Sequence, residues 1–226
     1  MLGVLLSALW VAGGQTPTTY IVDQAQLTTR TDRYLVSVEG RSVGWTTYTL
    51  QVDRDAVWFT HESIRDENAV LLGTSSGRLL LAPVDLTVRR MQGTETTGDQ
   101  TTGVTLSVDS GRVRARSSTG NADVAAGSGI YELTSLHAVI PALPLETGSV
   151  FALPTYVSAL RSVRPIRLRV RAPKKVKVPA GEFEAFKVEM SGYGEYDYYV
   201  STATPRRIVK IVSLRGRYLA YELVND

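Results

Sequence analysis

Six consecutive residues, Ile166-Arg167-Leu168-Arg169-Val170-Arg171, alternate apolar and cationic side chains without a break. Wound into a helix, at about 100° per residue, they would scatter arginine around the whole cylinder. Extended, they separate into one apolar and one charged face, because successive side chains of a strand point to opposite sides. The run is therefore a strand with one face buried, and the same period of two recurs along most of the chain. Tyr34, Val36 and Val38 alternate with Leu35, Ser37 and Glu39, before a turn at Gly40-Arg41-Ser42. Tyr48, Leu50 and Val52 follow, and Asp53-Arg54-Asp55 turns the chain into Val57, Phe59 and His61.

The middle is read as strands around Leu79 to Leu81 and Val84 to Arg90, with a break at Pro83. Val104, Leu106 and Val108 turn at Asp109-Ser110-Gly111 and return as Arg112 to Arg116. Residues 117–129, rich in Ser, Gly and Ala, read as a loop. Residues 131–140 carry the best helical pattern, stopped by Pro141. Val178-Pro179-Ala180-Gly181 has proline and glycine where a tight turn wants them. Beyond it the apolar parity moves from Phe183 and Ala185 to Phe186, Val188 and Met190, which predicts a β-bulge in the return strand. Tyr196 to Val200, Ile208 to Val212 and Tyr218 to Val224 close the chain. About nine to eleven short strands with hairpin-length turns predict one large curled antiparallel sheet, a half-open β-barrel with minor α content. A short helix or loop would cover its concave face.

Residues 2–12 form an uncharged apolar run, too short for the roughly 20 residues that span a bilayer. Ala12-Gly13-Gly14 follows, small residues suited to signal cleavage, so residues 1–14 are expected to be an export signal and 15–226 one β domain. The implied location is periplasmic or secreted. The chain has no cysteine, which removes disulfides, thiol nucleophiles and Cys-ligated zinc. His61 and His137 are its only histidines, neither with a ligand partner three or four residues on, so no metal or cofactor is expected. Neither a nucleophile elbow nor a phosphate-binding glycine loop occurs. Glu182, Glu184, Glu189, Glu195 and Asp197 supply the only cluster from which a carboxylate pair for hydrolysis could be drawn. Their alternation around Phe183 reads better as a charged solvent face.

Twenty arginines against five lysines, with a net charge of +3, point to anionic partners. Arg112, Arg114 and Arg116 share one strand face, and Arg167, Arg169 and Arg171 another; residues 161–177 hold eight basic groups and no acid. These two ladders are the candidate anion-binding residues, the alternative being a solvated face paired with acids of neighbouring strands. No aromatic residues interleave with them, which argues against nucleic acid. Tyr34, Val36, Tyr48, Leu50, Leu168 and Val170 are the candidate liners of an amphiphile site on the concave face. Tyr196, Tyr198, Tyr199, Tyr218 and Tyr221 either pack or line such a cavity.

Two strings, Tyr131-Glu132-Leu133-Thr134-Ser135-Leu136 and Leu143-Pro144-Leu145-Glu146-Thr147-Gly148, resemble segments of a bacterial exported family known only as a domain of unknown function. Val178-Pro179-Ala180-Gly181-Glu182-Phe183 with Lys187-Val188, and Tyr199-Val200-Ser201 with Pro205 to Lys210, fit the same pattern. The resemblance covers residues 131–224. It implies a curved, half-open barrel related in shape to the periplasmic lipoprotein carriers, and it brings no catalytic residues with it. The function expected is non-enzymatic binding of a lipid or other amphiphile in the cell envelope. The alternative is a filled barrel whose arginine stripe docks an envelope protein or polyanion.

Overall fold

The computed structural model describes residues 20–65, 74–118, 120–216 and 218–225. The expected export signal, residues 1–14, lies outside them. The first strand, β1 (Arg30–Val38), runs through the middle of a single 15-stranded sheet. Seven strands step outward on one side of it: β2 (Arg41–Val52), β3 (Val57–Arg65), β4 (Thr74–Leu81), β5 (Val88–Thr97), β6 (Gln100–Asp109), β7 (Arg112–Ser117) and β8 (Gly120–Ala125). The chain then crosses to the far edge as β9 (Tyr131–Glu132) and helix α1 (Leu136–Ala142). It walks back through β10 (Val150–Val157), β11 (Ser162–Val178), β12 (Gly181–Ser191), β13 (Tyr196–Ser201) and β14 (Ile208–Ser213) to β15 (Leu219–Leu223), which pairs with β1. The result is two antiparallel meanders sharing a centre, and the sheet is not closed between β8 and β9. One pair departs from the antiparallel expectation: β9 runs parallel to β10, because the two are joined by a crossover through α1 rather than by a hairpin.

Hairpin chemistry sets the registers. Glu39-Gly40 and Ser110-Gly111 turn with both residues at positive φ (51°, 78° and 48°, 72°), the backbone hand that matches the twist of the flanking strands. The first turn is thus one residue earlier than expected, and Arg41 already belongs to β2. Pro179-Ala180 links β11 to β12 as a two-residue connection, with Val178 opposite Gly181. The irregularity predicted nearby is present, but the unpaired residue is Ala172 of β11, between Arg171 and Pro173, not a residue of β12. Two further expectations need correction. Residues 120–125 are a strand, whose alternating half-exposed pattern gives little apolar signal at a sheet edge. The helix begins five residues later than predicted, because Tyr131 and Glu132 pair with β10 and residues 133–135 form a turn. Pro141 sits in its last turn instead of stopping it.

All of α1 except His137 is buried, and the helix packs between the two arms. The His137 ring stacks on Tyr48 of β2 at 4.3 Å and meets Tyr198 of β13 edge-on at 5.9 Å. Leu136, Val139 and Ile140 join one continuous core with Phe59, Leu79, Leu106, Leu153, Leu168 and Val188. The two arms are also clamped by charge. Asp32 of β1, 5% exposed, accepts from Arg30 Nε at 3.1 Å and from Arg207 Nε at 2.9 Å, just ahead of β14.

Candidate functional site

Cross-strand pairing sorts the inner face of the β2–β8 arm into rows. One row reads Leu50, Phe59, Leu79, Met91, Leu106 and Ala115 and is apolar throughout. The next reads Tyr48, His61, Gly77, Gly93, Val104 and Ser117, and the third Thr46, Ser63, Ser75, Glu95 and Thr102. The arm therefore grades from grease to hydroxyl across its width. Where large apolar side chains give way to glycine, serine and threonine, the interior is not filled. A cleft of about 780 Å³ opens there, at the unclosed edge of the sheet.

The far wall of this cleft comes from Glu132 to Thr134 and from Tyr156 to Arg161. Met91, Val104, Ala115, Leu133 and Val157 give it an apolar side, and Ser75, Glu95, Thr102, Tyr156 and Tyr193 a polar one. The volume lies within the roughly 300–1,000 Å³ of small-molecule sites. Arg161, at positive φ after β10, lays its guanidinium against Gly120 of β8: a Cβ at that glycine would stand 2.6 Å from Nη1. A glycine at 120 thus lets an arginine bridge the seam.

Two buried titratable groups face the cleft. Glu132, 3% exposed, is pushed up to about 7 by burial, although the backbone N–H of Thr134 donates to its Oε2 at 2.7 Å. His61 is 9% exposed, and burial lowers its pKa so that the neutral ring prevails at pH 7. Its Nδ1 has no hydrogen-bond partner among the described residues. The ring lies over Gly77, where a Cβ would come within 2.5 Å of its Cε1. His137, pushed down to about 4 by burial, differs in having a partner, with Nδ1 3.1 Å from the Thr134 carbonyl. No group of residues able to hold a metal ion occurs among the described residues.

The six predicted amphiphile liners are elsewhere. Tyr34, Val36, Leu50, Leu168 and Val170 are buried and Tyr48 is half-buried; the Tyr34 hydroxyl donates to the Ile208 carbonyl at 2.8 Å. Beside Tyr34, Tyr48 and Leu50, where His137 and Ala138 of α1 pack, about 10 Å³ remains, no more than a single water fills. The arginine ladders sit on the outer face. Arg112 pairs with Asp123 at 2.8 Å, Arg114 with the same carboxylate at 3.8 Å, and Arg171 with Glu189 at 2.8 Å. Arg116 alone of the six borders the cleft, while Arg167 and Arg169 border a smaller depression of about 400 Å³.

Four of the five clustered acids stand in ion pairs: Glu182 with Lys175, Glu195 with Arg215, and Glu189 and Asp197 both with Lys187. Of the tyrosines weighed as liners, Tyr198 is buried in the core and Tyr218 is exposed, and none of the five borders the cleft. Tyr156 and Tyr193 do, and sequence reasoning missed them. The signal available for the site was the pair of in-strand glycines, Gly77 and Gly93, since glycine inside a strand marks a close approach or a space.

No described helix is long and apolar enough to cross a membrane. In shape the chain is similar to a solved β-barrel-like protein of domain of unknown function DUF1849 from Brucella abortus. The match has a TM-score of 0.58 at 8% identity and covers 88% of this chain and 97% of that one, a likeness of fold alone. No curated protein matches the sequence. A family model described as "Protein of unknown function (DUF3108)" matches residues 18–220, and the chain belongs to that family.

Proposed function

We propose that this chain is an exported, non-enzymatic protein of the bacterial cell envelope that binds an amphiphile in the cleft at the open seam of its barrel. The observation that carries the reading is the cleft itself, whose lining combines apolar side chains with hydroxyl-bearing ones. The apolar part of the ligand lies against Met91, Val104, Ala115 and Val157, and its polar part faces His61, Ser75, Glu95 and Thr102. The apolar run at residues 2–12 supports export, and the ion pairs of Glu182, Glu189, Glu195 and Asp197 support binding rather than hydrolysis.

Native mass spectrometry of protein purified from a host with intact membranes tests this. A bound molecule at fixed stoichiometry is expected, and it should be lost in a folded Ser75→Trp variant, whose indole occupies the cleft. A bare mass that stays bare after incubation with envelope lipid extract would refute it.

A further inference from the structure

We propose that the depression beside β11 is a second binding site, separate from the cleft, for a phosphomonoester that carries an apolar substituent. Two cross-strand rows build it. Val150, Arg169, Glu189 and Asp197 stand opposite one another from β10 to β13, and Arg167 faces Ser191 in the row beside them. Lys187, Glu195 and Leu214 also border the depression, whose volume of about 400 Å³ falls in the range of small-molecule sites.

The charges around it do not balance. Its three acids are already held by cations: Glu189 by Arg171 at 2.8 Å and Lys187 at 3.4 Å, Asp197 by Lys187 at 3.0 Å, and Glu195 by Arg215 at 2.6 Å. The hydrogen bond from Arg171 lowers the pKa of Glu189, and the one to Asp197 raises that of Lys187, so both groups stay charged at pH 7. Three cations thus answer three acids. Arg167 and Arg169 are left over, exposed, with no ion pair or side-chain hydrogen bond among the described residues. Two such charges on one strand face, about 7 Å apart along the strand, suit a doubly charged anion. The arginine fork matches phosphate oxygens in paired hydrogen bonds, and a phosphomonoester carries about −1.5 to −2 at pH 7. A carboxylate would leave one arginine unanswered. Val150 and Leu214, each more than half exposed, set apolar surface beside the arginines for the rest of the ligand.

Calorimetry on the purified full chain compares phenyl phosphate with benzoate. Phenyl phosphate should bind at least about tenfold more tightly. The double change Arg167→Gln, Arg169→Gln should weaken it at least about tenfold, the worth of charge-assisted hydrogen bonds. Arg112→Gln with Arg114→Gln alters net charge equally, on β7, and should leave binding unchanged. Leu214→Glu, which sets a carboxylate at the rim and keeps every arginine, should weaken phenyl phosphate too and guards against a folding defect in the first variant. Co-sedimentation with phosphatidylcholine vesicles, with and without phosphatidic acid, separates the sources. Binding that needs phosphatidic acid and is displaced by phenyl phosphate identifies a lipid headgroup; phenyl phosphate bound without any vesicle binding identifies a soluble phosphate ester. Either supports the site. Benzoate bound as tightly as phenyl phosphate, an equal loss in the β7 variant, no loss in a folded Arg167→Gln, Arg169→Gln protein, or no binding of phenyl phosphate at millimolar concentration overturns it. None of these outcomes bears on the cleft, which Ser75→Trp tests separately.

Discussion

Replacing Asp32 by alanine should loosen the joint on which the two halves of the sheet meet. The carboxylate is 5% exposed and accepts from Arg30 and Arg207, which come from β1 itself and from the loop ahead of β14. Its removal strands the Arg30 guanidinium, whose side chain is 15% exposed and whose other hydrogen bond goes to the Gln26 carbonyl at 3.3 Å. Breaking a wholly buried pair costs about 3–5 kcal/mol. The Arg207 side chain is 39% exposed, so water recovers part of that loss, and about 2–3 kcal/mol remains. For a chain of this size the melting temperature should fall by about 5–10 °C. Thermal unfolding followed by circular dichroism reads it, and a double-mutant cycle with Arg207→Ala should return a coupling of about 1–2 kcal/mol. A shift below about 2 °C would refute the claim that this ion pair holds the arms together.

Other consequences are equally direct. Glu132, pushed up to about 7, keeps its proton when folded between its ordinary carboxylate value and 7, so its contribution is present at low pH and is lost as pH rises through that window. His137, pushed down to about 4, has the opposite sign: its contribution is present above about 6.5 and is lost as pH falls toward 4. Between pH 4.5 and 6.5 the two slopes oppose each other. Urea titrations should therefore show that Glu132→Gln makes stability rise more steeply with pH than wild type, and that His137→Phe makes it fall, each by about 1.4 kcal/mol per pH unit. Equal slopes in all three proteins would contradict both assignments. Ile140→Ala empties space between the arms, since this residue of α1 is wholly buried, and should cost about 2–5 kcal/mol in urea unfolding. A loss under 1 kcal/mol would mean that α1 is not part of the core. Gly192→Ala places a Cβ 2.4 Å from the Pro165 carbonyl oxygen at a φ of 112° and should cost about 2 kcal/mol or more by the same measurement. A change within 0.5 kcal/mol would show that the loop yields freely.

The sequence was most legible where solvent and core meet across one strand. In β11 the Ile-Arg-Leu-Arg-Val-Arg run gave class, face and burial together, since Ile166, Leu168 and Val170 are all buried. It was least legible where the fold makes room. β4 and β5 carry Gly77 and Gly93 on the inner face, so the apolar rhythm fades where the cleft lies. β8 pairs on one side only and contributes little to the core, so its Asn, Asp and Ala looked like loop. The amphiphile liners were chosen by parity, which assigns side chains to one face of a strand. Parity does not tell which part of that face α1 occupies. His61 had the right parity too, following Val57 and Phe59, but its glycine neighbours are set by the register of three strands, which no local pattern encodes.

Amide hydrogen exchange with and without the envelope lipid extract asks where in the barrel a ligand rests. Slowed exchange is predicted in residues 91–104, 132–134 and 156–161, the two walls of the cleft. Slowing confined to β1, β2 and α1, or none at all, would contradict a binding site at the open seam.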